Sequence, residues 1–232
     1  MTTNPVSSTT FSNSIAEESK ENIPVLPHHI FEKALPPVTS AQPLGEVTQL
    51  MNGISENKQQ HEAPLIEVKQ LFWSNGNTYE GEILNDLPNG YGTLVYNTGI
   101  RYVGQFQEGK YHGRGTLTIP GEGVYEGEFK NGLFDGFGIF KYFNRDIFMG
   151  NYVRGIRQGQ GTLYYHDQGG SYTGEYKNGN RHGYGTLTSE AGDIYEGGFE
   201  DGKFQGYGKL TFANGSPTIE GKFANNLFVS KY

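Results

Sequence analysis

Cysteine is absent from the 232 residues, which excludes a disulfide framework and any thiolate metal site. Tryptophan occurs once and methionine three times. Cations are scarce: 18 Lys and Arg stand against 25 Asp and Glu, a formal net charge of −7. Nucleic acid is therefore excluded as an expected partner, because neutralising phosphates needs clustered Lys and Arg. No apolar run approaches the ~20 residues that a membrane-spanning helix needs. The opening MTTNPVSSTTF has neither a basic nor an apolar region, so no secretory signal is expected. The resulting expectation is a cytoplasmic protein.

Glycine and two aromatic residue types are abundant instead: 35 Gly, 16 Tyr and 15 Phe. Glycine lacks the Gly-X-Y period of collagen, and this aromatic content argues against disorder throughout. Both are unevenly spread. All 16 Tyr, 13 Phe and 33 Gly fall after Pro64. Residues 1–64 are rich in Pro, Ser, Thr and Asn, with three Lys and seven Glu, and hold too little apolar area to offset the entropy of ordering. Disorder is expected there, relieved by two short stretches with helical spacing, His29–Leu35 and Val47–Met51, which would order only by docking. Residues 65–232 form the second region.

That region is periodic. An aromatic-X-Gly triplet begins at Tyr79, Tyr102, Tyr125, Phe148, Tyr172 and Tyr195, and once more with Ile219 in first place, at intervals of 23 or 24 residues. The fifth position is large: Ile83, Phe106, Phe129, Tyr152, Tyr176, Phe199 and Phe223. Alternation of this kind marks a strand with one packed face. A dipeptide comes next, usually Asn-Gly, Asp-Gly or a near equivalent, with Asn85-Asp86 departing from the rule. Such pairs supply the positive φ of tight hairpin turns. The return strand carries Gly-X-Gly, then Leu94, Leu117, Phe140, Leu163, Leu187 or Leu210 two residues on.

Glycine weakens a strand locally by ~0.5–1 kcal/mol. Between large same-face residues it also leaves a notch, across which a ring from the neighbouring strand can lie flat. A single sheet has no second layer, so ring-on-glycine packing must replace a core, and each hairpin depends on its neighbours. Residues 68–78 read as a return strand without its first strand, and the C-terminal IEGKFANNLFVSKY as a first strand without its return. The expectation is six full hairpins with a half-repeat at each end, roughly 14 strands.

The Tyr-Glu-Gly-Glu-Phe of Tyr125–Phe129 and the Gly-Tyr-Gly-Thr-Leu of Gly183–Leu187 resemble the MORN repeat consensus, and the resemblance extends over residues 65–232. It implies an all-β fold, an elongated, twisted antiparallel sheet of tandem hairpins. It also implies a scaffold, a dimerisation module or a membrane-proximal adaptor, at the periphery of a membrane or the cytoskeleton.

Catalytic and metal constellations are not expected. The Gly-X-Gly pairs sit inside strands and lack the subsequent helix that a phosphate loop requires. His166-Asp167 has no neighbouring nucleophile motif. Glu80 with Glu82, and Glu126 with Glu128, recur in repeat register, as on a solvated strand face. No cofactor is expected. A second aromatic set remains: Tyr91, Phe137, Tyr184 and Tyr207 inside the Gly-X-Gly pairs, and Tyr111, Phe134, Phe204 and Phe228 after the turns. Stapling of hairpin ends accounts for half; the rest, exposed in a row, would make a contact surface. The leading expectation is a non-catalytic scaffold binding a protein partner or a second copy. A second reading has acidic phospholipids held by Lys141, Arg145, Arg154 and Arg157; a third is carbohydrate binding, which the lone Trp73 disfavours.

Overall fold

Alternating residues, a two-residue reversal and a returning strand recur throughout the region described by the computed structural model, which comprises residues 66–231 and the backbone of 47–48. They fall in two compact units. The first, ending at Phe143, holds β1 (Val47–Thr48), β2 (Glu67–Phe72), β3 (Thr78–Leu84), β4 (Leu87–Val95), β5 (Arg101–Gln107), β6 (Lys110–Ile119), β7 (Gly123–Lys130) and β8 (Leu133–Tyr142). The second, beginning at Asn144, holds β9 (Ile147–Val153), β10 (Ile156–Tyr164), β11 (Ser171–Lys177), β12 (Asn180–Thr188), β13 (Ile194–Glu200), β14 (Lys203–Thr211), β15 (Ile219–Ala224) and β16 (Leu227–Ser230). Within each unit every strand pairs antiparallel with its neighbour in sequence. The all-β antiparallel hairpin architecture is as expected.

The reversals lie at the anticipated dipeptides. Glu108, Asn131, Arg154, Asn178 and Asp201 have φ between 47° and 52°, each followed by a glycine of positive φ. Asn85 and Asp86 take the same left-handed conformation at 51° and 61°, so this pair adopts the turn geometry despite lacking glycine. Asn and Asp tolerate that region because their short polar side chains bond locally.

Two expectations about the ends are corrected. The C-terminal half-repeat does have a return: Asn225 and Asn226 turn the chain, and β16 pairs with β15 through Phe223↔Phe228. From β2 onward there are thus fifteen described strands rather than fourteen. In place of the helix expected over 47–51, Val47 and Thr48 form β1, opposite Gln70 and Lys69 of β2. Five residues cannot nucleate a helix alone, whereas the open backbone of β2 offers ready-made partners. The other expected helix, 29–35, lies outside the described residues.

One face of each hairpin is packed. Tyr79, Tyr102, Tyr125, Phe148, Tyr172 and Tyr195 are all essentially buried, as are Leu94, Leu117, Phe140, Leu163, Leu187 and Leu210 on the return strands. The glycine notch is the reason. Gly104 and Gly115 face each other across β5 and β6, and the Tyr102 ring lies over both, where a Cβ on either would strike it. Repeated rings then meet edge to face, Tyr102 with Phe106 at 5.0 Å and with Phe129 of the next hairpin at 5.0 Å. The ring hydroxyl finishes the arrangement: Tyr102 Oη donates to Gln105 O at 2.8 Å, Tyr125 to Glu128 O at 3.0 Å, and Tyr172 to Glu175 O at 2.9 Å.

Candidate functional site

The packed face is sealed, so the site question turns on the outer face and on a bulge repeated in each hairpin. In β5–β6 the register runs Gly104↔Gly115 and then Gln105↔His112, leaving Gly113 and Arg114 looped out of that ladder. The same two residues pair regularly with the next strand, as Gly113↔Phe129 and Arg114↔Glu128. The first bulge residue needs positive φ, from 54° to 107° across Gly90, Gly113, Gly136, Gly159, Gly183 and Gly206. In three hairpins the freed N–H of the second is capped by a side chain of the opposite strand. Tyr91 N–H donates to Glu82 Oε1 at 3.2 Å, Arg114 N–H to Gln105 Oε1 at 3.0 Å, and Tyr184 N–H to Glu175 Oε1 at 3.2 Å. A side chain at Gly90, Gly113, Gly136 or Gly183 would run into the same acid or amide. This is a second, independent reason for glycine in the Gly-X-Gly pair.

The looped-out residue projects outward. Tyr91 is 60% exposed and Phe137 49% in the first unit, with Tyr184 at 64% and Tyr207 at 59% in the second. These four of the eight candidate aromatics are available for contact, and Phe228 joins them at 40%. The other three are corrected: Tyr111, Phe134 and Phe204 are buried and cannot be a contact surface. They lie flat on Tyr102, Tyr125 and Tyr195, with centroids 3.8, 3.6 and 3.7 Å apart, because the position after the turn points to the packed face. They staple the hairpin ends.

Arg157 is corrected in the same way. It occupies the stapling column, opposite Tyr152, and is buried against Phe148 and Tyr176, with ring centroids at 5.3 and 5.2 Å. It is therefore not a surface cation. Lys141, Arg145 and Arg154 are exposed, but Lys141 belongs to one unit and the two arginines to the other. Arg181, which sequence reasoning missed, fills the same column one hairpin later, buried against Tyr172 and Phe199 at 5.7 Å each, its Nη2 donating to Gly202 O at 2.9 Å. Aligning the column after the turn, Pro88, Tyr111, Phe134, Arg157, Arg181, Phe204, Phe228, would have revealed both arginines.

Burial also marks the tyrosines electrostatically. Desolvation pushes the Tyr96 phenol up to about 12, with the hydrogen bond from Tyr111, at 2.8 Å between hydroxyls, opposing the shift. It holds Tyr79, Tyr102, Tyr111, Tyr125 and Tyr195 well above the usual phenol range. These groups stay neutral and structural. Among the described residues no cluster of three His, Asp or Glu side chains could hold a metal ion.

Six consecutive segments, residues 79–101, 102–124, 125–147, 148–170, 172–194 and 195–216, match the MORN repeat family. The chain is a MORN-repeat protein. Each matched segment opens on the buried ring that covers the glycine pair, so the family signature in this MORN chain is the packing unit itself. No curated protein sequence matches it. Among solved structures, the SAS-4 TCP domain of Drosophila melanogaster, in complex with a proline-rich motif of Ana2, is similar at 9% identity, over 75% of this chain and 99% of that one, with a TM-score of 0.42.

Proposed function

We infer that this MORN-repeat protein is a non-catalytic scaffold or adaptor that docks a protein partner on the outer face of its hairpins. The observation that carries the reading is the exposure of large rings at one repeat position, Tyr91, Phe137, Tyr184 and Tyr207, while nearly every other repeated ring is buried. Folding does not need these rings, since Arg114 and Gln160 occupy the same position in other hairpins. Exposed aromatics held on rigid strands are the residue type that dominates binding energy at protein interfaces. The phospholipid reading loses Arg157 to the packed face and the carbohydrate reading has no structural support beyond exposed tyrosine.

Proximity labelling by the full chain, compared with a Tyr91→Ala, Phe137→Ala, Tyr184→Ala, Tyr207→Ala variant of unchanged circular dichroism, tests this. A defined set of labelled proteins should disappear with the four rings. An identical set from both proteins would sink the reading.

A further inference from the structure

Five neighbouring strands of the second unit bring Glu175, Tyr184, Gly198, Tyr207 and Lys222 side by side at the level of the bulge. Glu175 caps the Tyr184 N–H, Tyr184 pairs with Gly198, and Tyr207 pairs with Lys222. The two rings are exposed, and so are the charged groups at either end. Gly198 is the exception in its column, where the other hairpins carry Glu82, Gln105, Glu128, Asn151, Glu175 and Lys222. No side chain fits there, because a Cβ on Gly198 would enter the Gln205 carbonyl. Between the rings of Tyr184 and Tyr207, therefore, the floor is bare backbone.

Spacing selects the ligand. The rings spring from β12 and β14, two strands apart, hence about 9.6 Å from base to base. A polyproline II helix has three residues per turn and rises ~3.1 Å per residue, so it presents the same face every ~9.3 Å. A segment in that conformation, lying across the strands, would set residues i and i+3 against the two tyrosines. The ~5.4 Å pitch of an α-helix and the ~6.8 Å same-face repeat of a β-strand do not match one ring per turn. Such a ligand is already stiff and loses little entropy on docking, which is why aromatic-lined slots take proline-rich segments. The ends give direction. Glu175 lies one strand outside Tyr184 and Lys222 one strand outside Tyr207, so a basic residue suits one end and an acidic residue the other.

We propose that Tyr184, Gly198 and Tyr207 form a docking slot for a proline-rich partner segment in the polyproline II conformation, with its basic end over Glu175 and its acidic end toward Lys222. This rests on the scaffold reading and adds to it the class of ligand.

Fluorescence polarisation with the full chain tests it. The probe is a labelled heptapeptide with Arg first, five Pro and Glu last, so that its charged ends lie about 19 Å apart, matching the four strand spacings between Glu175 and Lys222; the control replaces the prolines with alternating Gly and Ser. The proline peptide should bind at least about tenfold tighter than the control, and Tyr184→Ala or Tyr207→Ala should each weaken it by about tenfold or more. Lys222→Glu should weaken the Glu-ended peptide and spare one ending in a neutral amide. Equal binding of the control, no binding of the proline peptide, or indifference to both tyrosine changes would overturn the proposal. Self-association abolished by Tyr184→Ala, without proline binding, would do so by naming a second copy as occupant. If the proline peptide fails while the four-ring variant still loses its labelled partners, only the ligand class falls. If the labelled partners persist as well, the scaffold reading falls with it.

Discussion

The Arg181 guanidinium stands 5.7 Å from the centre of the Tyr172 ring, in the column where Tyr111, Phe134 and Phe204 put aromatic rings. A buried cation thus does the stapling work of a ring, through its faces and a carbonyl acceptor. Replacing a buried charge by an apolar group of similar volume is often neutral or stabilising, whereas truncation leaves a hole. Arg181→Phe should therefore change stability little or raise it, and Arg181→Ala should cost about 3 kcal/mol. Urea denaturation of both variants checks this; equal losses would show that the Gly202 contact, not packing, fixes the residue.

The tyrosine hydroxyls contribute much less than the glycines beneath them. Phe148 shows that the ring alone can serve in one repeat. Tyr125→Phe removes the hydroxyl and its bond to Glu128 O and should cost about 1 kcal/mol. Gly138→Ala places a methyl in the space of the Tyr125 ring and should cost about 3 kcal/mol or more. Melting curves of the two variants should separate clearly, with the glycine change the larger.

Alkali should unfold the array. The Tyr96 phenol sits at about 12 in the folded chain against an ordinary value of 10.0, and five other buried tyrosines are also raised. A raised folded value means that the unfolded chain gives up its protons first. The stabilisation is whole below pH ~10 and is lost as pH climbs toward ~12 and beyond. Tyrosinate absorbance should thus rise together with loss of the far-ultraviolet β signal. Smooth ionisation of Tyr96 with the β signal intact would contradict the burial.

Loops are tied across repeats by a bond spanning twenty residues. Asn77 Oδ1 accepts Asn97 N–H at 3.0 Å, Asp146 Oδ1 accepts His166 N–H at 2.7 Å, and Asp193 Oδ1 accepts Ala213 N–H at 2.9 Å. In the repeat where the acceptor position is Ile100, the donor position is Pro120, which has no N–H to satisfy. Asp146→Ala should cost about 1–2 kcal/mol and speed hydrogen exchange at the His166 amide. Unchanged exchange there would rule the bond out as a tie.

The hairpins are legible because their period, turn dipeptides and alternation are local signals of sequence. The split of the second aromatic set follows from the same alternation once it is counted from the leucine column: Tyr111 lies an even step before Leu117 and is packed, whereas Tyr91 lies an odd step before Leu94 and is exposed. The bulge takes two residues out of the ladder and so preserves parity, which is why the count holds across Gly113-Arg114. Residue type alone makes Arg157 a surface cation. Its place in the column after the turn, opposite Tyr152, puts it inside. In the sequence Gly198 is one more strand glycine, since its role depends on the two strands that flank it.

Strand order equals chain order within each unit, and that has a mechanical consequence. Tension on the two ends of such a unit loads the hydrogen-bond ladder one rung at a time and opens it as a zipper, not by shear of all rungs together. Each repeat would then yield separately at modest force, releasing 23 residues, or about 80 Å of slack, per event. A chain built this way lengthens in steps under load while the hairpins beyond the opening keep their outer faces in register.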